Sequence, residues 1–193
     1  MNKTLVVYHS RSGNTRRVAQ RIAEALRADL DEIRIVHPLA GPLGYAFCAI
    51  EAILGLTPAL RPARFDPDDY DCVVIGTPVW FWSLSSPVRS WLALHGPLRR
   101  RVAFFCTMGG SGAERAFASM AALCEAQPNA TMALADAQIE AGASAAIETF
   151  ARSLAASGRR RTSAARHASR LADAATRTSR SARGKRHARA TPR

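Results

Sequence analysis

Short apolar runs alternate along this chain with stretches in which apolar residues recur at helical spacing. Three runs, residues 5–8, 72–75 and 102–106, are continuous, which predicts strands buried on both faces. Weaker strands are predicted over residues 31–36, where apolar and polar residues alternate, and over Thr131–Ala135. This alternation of strand and helix signals argues against all-helical and all-β folds. It predicts an α/β fold with a parallel sheet.

Each predicted strand is followed by an apolar stripe along one side of a helix. The stripes consist of Val18, Ile22, Ala25 and Leu26; Leu43, Phe47, Ile50 and Leu54; Val88, Trp91 and Leu92; Ala113, Phe117, Met120, Ala121 and Cys124; and Ile147, Phe150, Ala151 and Leu154. Five strand–helix repeats predict a doubly wound, five-stranded parallel sheet with helices on both faces. Ligands of such sheets bind beyond the carboxyl ends of the strands. The loops after residues 8, 75 and 106 are therefore the candidate site.

The positive charge is concentrated at the C-terminus. The 193 residues include 27 Lys and Arg against 15 Asp and Glu, a formal charge of +12, and +11 of it lies in residues 158–193. We predict a folded domain over residues 1–157 and a basic tail over residues 158–193. The tail is rich in Arg, Ala and Ser with one large aliphatic residue, Leu171, a composition that predicts disorder. It favours a solvated extension over a nucleic-acid-binding segment, because no aromatic residues separate the arginines.

Cysteines and apolar stretches give no sign of a metal site or a membrane segment. Cys48, Cys72, Cys106 and Cys124 form no CxxC pair, and no histidine lies at zinc-finger spacing from them. Widely spaced cysteines predict a reduced, cytoplasmic protein. The longest apolar stretch, residues 45–56, contains a glutamate and is too short to cross a membrane. We therefore expect neither a signal peptide nor a transmembrane segment.

The loop after the first predicted strand has the composition of a phosphate site. It consists of Ser10, Arg11, Ser12, Gly13, Asn14 and Thr15. It leads directly into a helix, whose N-terminus offers unpaired N–H groups and a partial positive charge. A simple helix cap would explain the same residues, so this loop alone leaves both interpretations open. The glycine-lysine signature of nucleotide-triphosphate loops and the GxGxxG dinucleotide fingerprint are both absent from it.

Two further loops suit a flat ligand. One consists of Thr77, Pro78, Val79, Trp80, Phe81 and Trp82, and its three consecutive aromatics could stack on a ring or anchor the loop in the core. The other consists of Thr107, Met108, Gly109, Gly110, Ser111 and Gly112. Its three glycines leave backbone N–H groups free to face a ligand. Together the three loops predict a pocket for a phosphate joined to a planar, polar ring.

These three segments, in this order, resemble the flavodoxin-like family. The family's phosphate loop, Ser/Thr-x-Ser/Thr-Gly-Asn-Thr, is matched in full by residues 10–15, and GTPVWFWSLSSPVRSWL and FFCTMGGSGAERAF look like its ring-binding loops. The resemblance covers roughly residues 1–157. It implies strand order 2-1-3-4-5 and FMN as the cofactor, with the phosphate on residues 10–15. The isoalloxazine ring would lie between residues 77–82 and 107–112, with Trp80 and then Trp82 as its contacts.

The resemblance implies a redox protein that transfers electrons through bound FMN between a partner protein and an acceptor. Electron-carrier flavodoxins are usually strongly acidic, which steers basic partners, whereas residues 1–157 carry only +1. An NAD(P)H-dependent FMN reductase acting on quinones or other small acceptors therefore stays open. A non-redox module whose basic tail binds nucleic acid is a third alternative. Electron transfer through a flavin needs no catalytic acid, base or nucleophile, and we assign none.

Overall fold

A computed structural model describes residues 3–36 and 57–157 of the chain. The chain divides into two units, Met1–Leu154 and Ala155–Arg193, and nearly all of the second lies outside the described residues. The boundary at residue 157 and the nature of the basic tail therefore stay predictions. The helix predicted from Leu43 to Leu54 also lies outside the described residues.

Strands and helices alternate through the described parts of the chain. Their bounds are β1 (Thr4–Tyr8), α1 (Asn14–Leu26), β2 (Asp29–Glu32), a 3-10 turn (Pro67–Asp69), β3 (Cys72–Trp80), β4 (Ser83–Leu84), α2 (Ser86–His95), β5 (Arg101–Met108), α3 (Ala113–Cys124), β6 (Thr131–Ala135), α4 (Asp136–Glu140) and α5 (residues 144–157). No helix in these parts is both long and apolar enough to cross a membrane.

Five of the strands pair in parallel, in the order β2-β1-β3-β5-β6. This is the predicted order for five parallel strands, and the doubly wound α/β fold is confirmed. The numbering shifts because a sixth, short strand, β4, pairs antiparallel with the end of β3. The chain leaves β1 on one side to form β2 and returns on the other side to form β3. A crevice for a ligand is expected at this switch point, beyond the carboxyl ends of the strands.

The central strands are apolar throughout because helices cover both faces of the sheet. Successive side chains point to opposite faces. Val73 and Phe104 belong to the core shared with α2 and α3, whereas Val74 and Phe105 belong to the core shared with α1 and α5. Burial on both faces explains why these strands read as continuous apolar runs rather than as alternating ones.

The edge strand β2 begins and ends earlier than predicted. Its parallel pairing with β1 runs from Asp29 to Glu32, so the strand predicted over residues 31–36 was wrong in its bounds. Ile35 instead forms an antiparallel bridge with Leu60, and the Val36 N–H donates to the Ala59 carbonyl at 2.9 Å. The alternating residues thus contact the segment that precedes β3, a pairing that the local pattern does not distinguish from a longer edge strand.

Strand β3 is longer than the predicted run of residues 72–75. Gly76 does not end it, because this glycine pairs with Phe105 of β5 and makes room for the phenyl ring. A Cβ atom at Gly76 would lie only 2.1 Å from Phe105 Cζ. The strand continues to Trp80 through residues that were predicted as a loop. Strand β5 likewise continues two residues beyond Cys106, to Met108.

Candidate functional site

The three predicted site segments meet at the carboxyl edge of the sheet. They follow β1, form the end of β3 and follow β5, and β3 lies between the other two strands. Side chains link them directly. Thr15 Oγ1 lies 2.8 Å from Thr107 Oγ1, which joins the first segment to the third. Trp82 Nε1 donates to Ser111 Oγ at 3.0 Å, which joins the second to the third.

The first segment forms an open cradle at the N-terminus of α1. Gly13 begins the helix with a φ of 95°, in the left-handed region that favours glycine. A Cβ atom there would meet nothing within 4 Å, so the space beside it is open. Ser10 Oγ accepts the N–H groups of Gly13 and Arg16, both at 3.2 Å, and keeps its own hydroxyl hydrogen for another acceptor. Because the first turn carries no acidic residue, this end of the helix favours an anion.

Two predicted phosphate-loop residues use their side chains to hold the loop in place. Asn14 Nδ2 donates to Asp136 Oδ1 at 2.7 Å, and Asn14 Oδ1 accepts from Arg17 at 2.6 Å. Thr15 is buried, and its hydroxyl is paired with Thr107. Backbone N–H groups are therefore what these two residues offer a ligand. Asp136 was not predicted, because it lies 122 residues after Asn14 and is brought to it only by the fold.

The aromatic segment is a β-hairpin rather than the predicted loop. Between β3 and β4, Phe81 and Trp82 have φ angles of 46° and 57°. Positive φ at both central residues defines a type I′ turn, for which Asn-Gly is the usual sequence. Two aromatic residues at these positions give no sequence signal for such a turn. The side chains of Phe81 and Trp82 are 45% and 59% exposed. Backbone strain of about 1 kcal/mol or more per residue is concentrated at ligand-binding sites in proteins.

The base of the hairpin is fixed to the core. Thr77 is fully buried, and its hydroxyl accepts the Ser85 N–H at 3.0 Å and contacts Ser85 Oγ at 3.1 Å. Thr77 therefore supports the hairpin from inside the fold. Pro78, Val79 and Trp80 are half-buried along the end of β3. The exposed side chains of this segment are those of Phe81 and Trp82, at the tip of the hairpin.

The third segment is a short exposed loop before α3. Gly109, Gly110 and Ser111 are exposed, whereas Thr107 and Met108 complete β5. Gly112 begins α3 with a φ of 104° and, like Gly13, makes no side-chain cap. A Cβ atom at Gly112 would lie 2.8 Å from the Cα atom of Trp82, so glycine is what lets the hairpin lie against this loop. Two helix N-termini that both begin at a glycine thus flank the hairpin at one edge of the sheet.

His9 lies beside the hairpin and was not predicted as a site residue. Its Nδ1 is 2.9 Å from the Ile33 carbonyl, and its ring meets Trp80 edge-on with 5.7 Å between ring centroids. Burial lowers the pKa of His9 below its usual value of 6.5. The neutral ring is favoured, with Nδ1–H donating to the carbonyl oxygen.

We expect the His9→Asn variant to lose part of the protein's sensitivity to acid. Because burial lowers the folded-state pKa of His9, the stability linked to its neutral ring is fully present above about pH 6.5. It is lost as pH falls from there through the folded-state pKa. Urea unfolding between about pH 8 and about pH 5 should show a shallower fall for the variant than for wild type.

His95→Asn provides the matched control for that experiment. It removes a similar contact, between His95 Nδ1 and the Trp91 carbonyl at 2.9 Å, at the end of α2. It therefore corrects for the loss of a ring–carbonyl hydrogen bond as such. Identical pH slopes for wild type and His9→Asn would show that the His9 ring does not titrate as burial requires.

Within the described parts of the chain, this edge shows neither a metal-binding cluster nor a reactive thiol. Within residues 3–36 and 57–157, no group of three or more His, Cys, Asp or Glu side chains is placed to hold a metal ion. Cys106, beside Thr107, is fully buried, and burial raises the pKa of its thiol to about 12. A thiolate nucleophile is therefore not available there at neutral pH.

Comparison with known proteins places this chain in one family. Residues 3–141 match the family of NADPH-dependent FMN reductases. The match spans well over half of the 193 residues, and the chain belongs to this family. No curated protein matches the sequence at a significant level.

Several solved structures share the fold. A flavoprotein of Lactobacillus acidophilus NCFM in complex with FMN is 24% identical, with a TM-score of 0.61, and the alignment covers 72% of this chain and 97% of that one. A putative flavoprotein from Bacteroides uniformis ATCC 8492 is 23% identical, with a TM-score of 0.64, and the coverage is 78% and 98%. At these identities the likeness shows the fold alone.

Together these findings confirm the resemblance to flavodoxin-like proteins and FMN as the cofactor. The family is one of FMN-dependent oxidoreductases, and both the electron-transfer function and the reductase alternative are compatible with it. The assignment of individual residues to the phosphate and the ring stays a prediction.

Proposed function

We propose that this protein is an NAD(P)H-dependent reductase that carries FMN at the carboxyl edge of its sheet and passes electrons to a quinone or another small acceptor. The observation that carries the proposal is the placement of an exposed aromatic hairpin between two helix N-termini that both begin at a glycine. The family match supports the reductase over a pure electron carrier. So does the charge of only +1 on residues 1–157.

The residues at the cradle fit a phosphate group. The space beside Gly13 is open, the Ser10 hydroxyl has a hydrogen to donate, and the N-terminus of α1 favours an anion. Arg16 and Arg17 occupy the first turn of α1, where cations are usually disfavoured by a few tenths of a kcal/mol. A bound phosphate dianion would reverse the sign of that cost. We therefore assign the FMN phosphate to residues 10–15.

The residues at the hairpin fit a planar ring. Trp80 is half-buried, whereas Phe81 and Trp82 are exposed, and aromatic side chains form a rigid stacking surface. The exposed backbone of Gly109 and Gly110 offers N–H groups to the polar edge of a ring. The isoalloxazine is assigned to the space between these two segments.

Bound FMN supplies the hydride and electron transfer, while the protein supplies position and access. The hydrogen bond from Trp82 to Ser111 and the close contact at Gly112 hold the hairpin against the loop before α3. Both elements are anchored to the sheet, so the ring would be oriented by fixed parts of the fold. The exposed Phe81 leaves this region open to solvent, as a nicotinamide or a small acceptor requires.

Reconstitution of the purified protein with FMN tests the proposal. We expect FMN to be retained through gel filtration, with flavin absorbance in the visible range. The loaded protein alone should then oxidise NADPH when a quinone is present. Bound FMN without NADPH oxidation would contradict the reductase and favour the carrier. Failure to take up FMN would contradict both and favour the non-redox module.

The location of the protein in the cell also belongs to this proposal. Cys72, Cys106 and Cys124 are free thiols in the described structure, which suits a reducing compartment. We therefore propose a cytoplasmic location, which fractionation of the native cells would test.

A further inference from the structure

A cleft separate from the proposed flavin site lies at the carboxyl ends of β1 and β2, beside the phosphate cradle. Its volume is about 270 Å³, and its lining includes Tyr8 and Glu32, the last residues of β1 and β2. The segment before β3 completes it with Arg61 and Arg64. Because β2 is the neighbour of β1 on this side, the cleft is separate from the hairpin space over β3 and β5.

Positive charge in this cleft is not balanced by its carboxylates. Glu32 is already paired with two arginines, Arg16 at 2.6 Å and Arg34 at 3.3 Å. Among the described residues, no carboxylate forms an ion pair with the guanidinium of Arg61 or Arg64. The cleft therefore favours an anionic ligand.

The second carboxylate of the cleft has a structural partner as well. Asp31 is buried, and its Oδ2 accepts the backbone N–H of Arg64 at 2.8 Å. This hydrogen bond fixes the segment before β3 to β2 and brings the arginine side chains to the cleft. Asp31 thus helps to shape the cleft.

The cleft and the proposed flavin site are joined by two residues. Arg16 is in the first turn of α1, where its N–H contacts Ser10, and its guanidinium reaches Glu32 in the cleft. His9 contacts Ile33, which follows β2, through Nδ1, and it contacts Trp80 of the hairpin through its ring. His9 and Arg16 thus contact residues of both the cleft and the proposed flavin site.

The size of the cleft limits what it can hold. Ligand pockets usually exceed about 300 Å³. At about 270 Å³, this cleft suits a phosphorylated sugar rather than a whole dinucleotide. Guanidinium groups bind phosphomonoesters through charge-assisted, often bidentate hydrogen bonds. A ligand with a phosphomonoester at a distance from its reactive ring fits both conditions.

We propose that Arg61 and Arg64, with Arg34 held beside them by Glu32, bind the adenosine 2′-phosphate of NADPH. The cleft would then make the enzyme select NADPH over NADH, which differs only in lacking that phosphate. The identity of the ligand rests on the proposed reductase function. The affinity of the cleft for a phosphomonoester does not, so the two can be tested separately.

Equilibrium binding of adenosine 2′,5′-bisphosphate and of 5′-AMP tests the cleft directly. Both probes carry the 5′-phosphate, so their ratio of affinities reports the 2′-phosphate alone. Isothermal titration of the FMN-loaded protein should give at least about tenfold tighter binding of the bisphosphate. The Arg61→Ala/Arg64→Ala variant should bind both probes about equally. Arg99→Ala removes an exposed arginine before β5 and should keep the wild-type ratio.

Kinetics with the same variants provide the second readout. The double variant should raise the KM for NADPH about tenfold and leave the KM for NADH unchanged. Equal affinity of wild type for the two probes, or a preference that survives in the double variant, would overturn the proposed cleft. A bisphosphate preference in FMN-loaded protein that does not oxidise NADPH would support the phosphate site and overturn the reductase.

Discussion

The Gly76→Ala variant should be less stable than wild type by about 2 kcal/mol, which urea unfolding will measure. The added Cβ atom would lie 2.1 Å from Cζ of Phe105, whose ring is fully buried between β5 and the helices on its face. Relieving that overlap displaces the ring in a close-packed core. Alanine also lowers the entropy of the unfolded chain, which by itself would stabilise the variant by about 0.4–1 kcal/mol. The net change is destabilising because the overlap with Phe105 costs more than this.

Gly110→Ala is the control for this substitution. A Cβ atom at Gly110 would meet nothing within 4 Å, so this variant should be as stable as wild type or slightly more stable. Combining Gly76→Ala with Phe105→Leu should cost less than the sum of the two single changes, by about 1 kcal/mol, because the smaller side chain relieves the overlap. Additive losses would show that the phenyl ring is not what excludes a side chain at residue 76.

The Gly13→Ala variant should bind FMN about a hundredfold more weakly than wild type. Its Cβ atom would enter the open space assigned to the phosphate and separate that group from the N–H groups of α1. Losing two charge-assisted hydrogen bonds of about 1.5 kcal/mol each corresponds to about tenfold for each bond. Quenching of flavin fluorescence will give the dissociation constant. Riboflavin, which lacks the phosphate, should bind equally to both proteins.

Gly142→Ala separates the ligand effect from backbone strain. Gly142 has a φ of 93°, close to the 95° of Gly13, and its Cβ atom would meet only Arg21 Nη1 at 3.9 Å. Both variants should lose about 1 kcal/mol of stability from the left-handed conformation. Wild-type FMN affinity in both would refute the assignment of the phosphate to residues 10–15.

The apolar pattern predicts the central fold because burial on both faces imposes it. The strand Thr131–Ala135 and the helix that ends at Cys124 lie where the pattern puts them. The end of β3 could not be predicted, because Pro78 lacks an N–H and usually marks a loop. The pairing of β3 with β1 ends at Gly76, whereas its pairing with β5 continues to Pro78. Pro78 therefore lies where one side of β3 is free of β1, and a proline is tolerated there as it is on an edge strand.

The candidate site could be predicted only where its chemistry lies within one continuous segment of the sequence. Residues 10–15 and 107–112 show their glycines and hydroxyls in sequence. The type I′ turn was missed because Phe81 and Trp82 stand where asparagine and glycine are usual. Asp136 and the cleft arginines were missed for a different reason. Arg61 becomes part of the cleft only through the bridge between Ile35 and Leu60 and its neighbouring hydrogen bonds, which no local pattern reveals.

The two halves of the proposed flavin site draw their support from different cores. Helix α1 beneath the phosphate cradle packs through Val18 and Ile22 on one face of the sheet. The hairpin packs through Val79 and Leu84 on the other face. Substitutions in the core that contains Val79 and Leu84 can therefore change the surroundings of the flavin ring without changing how the phosphate is bound. In the evolution of proteins with this arrangement, the redox potential of the flavin can change while FMN stays bound.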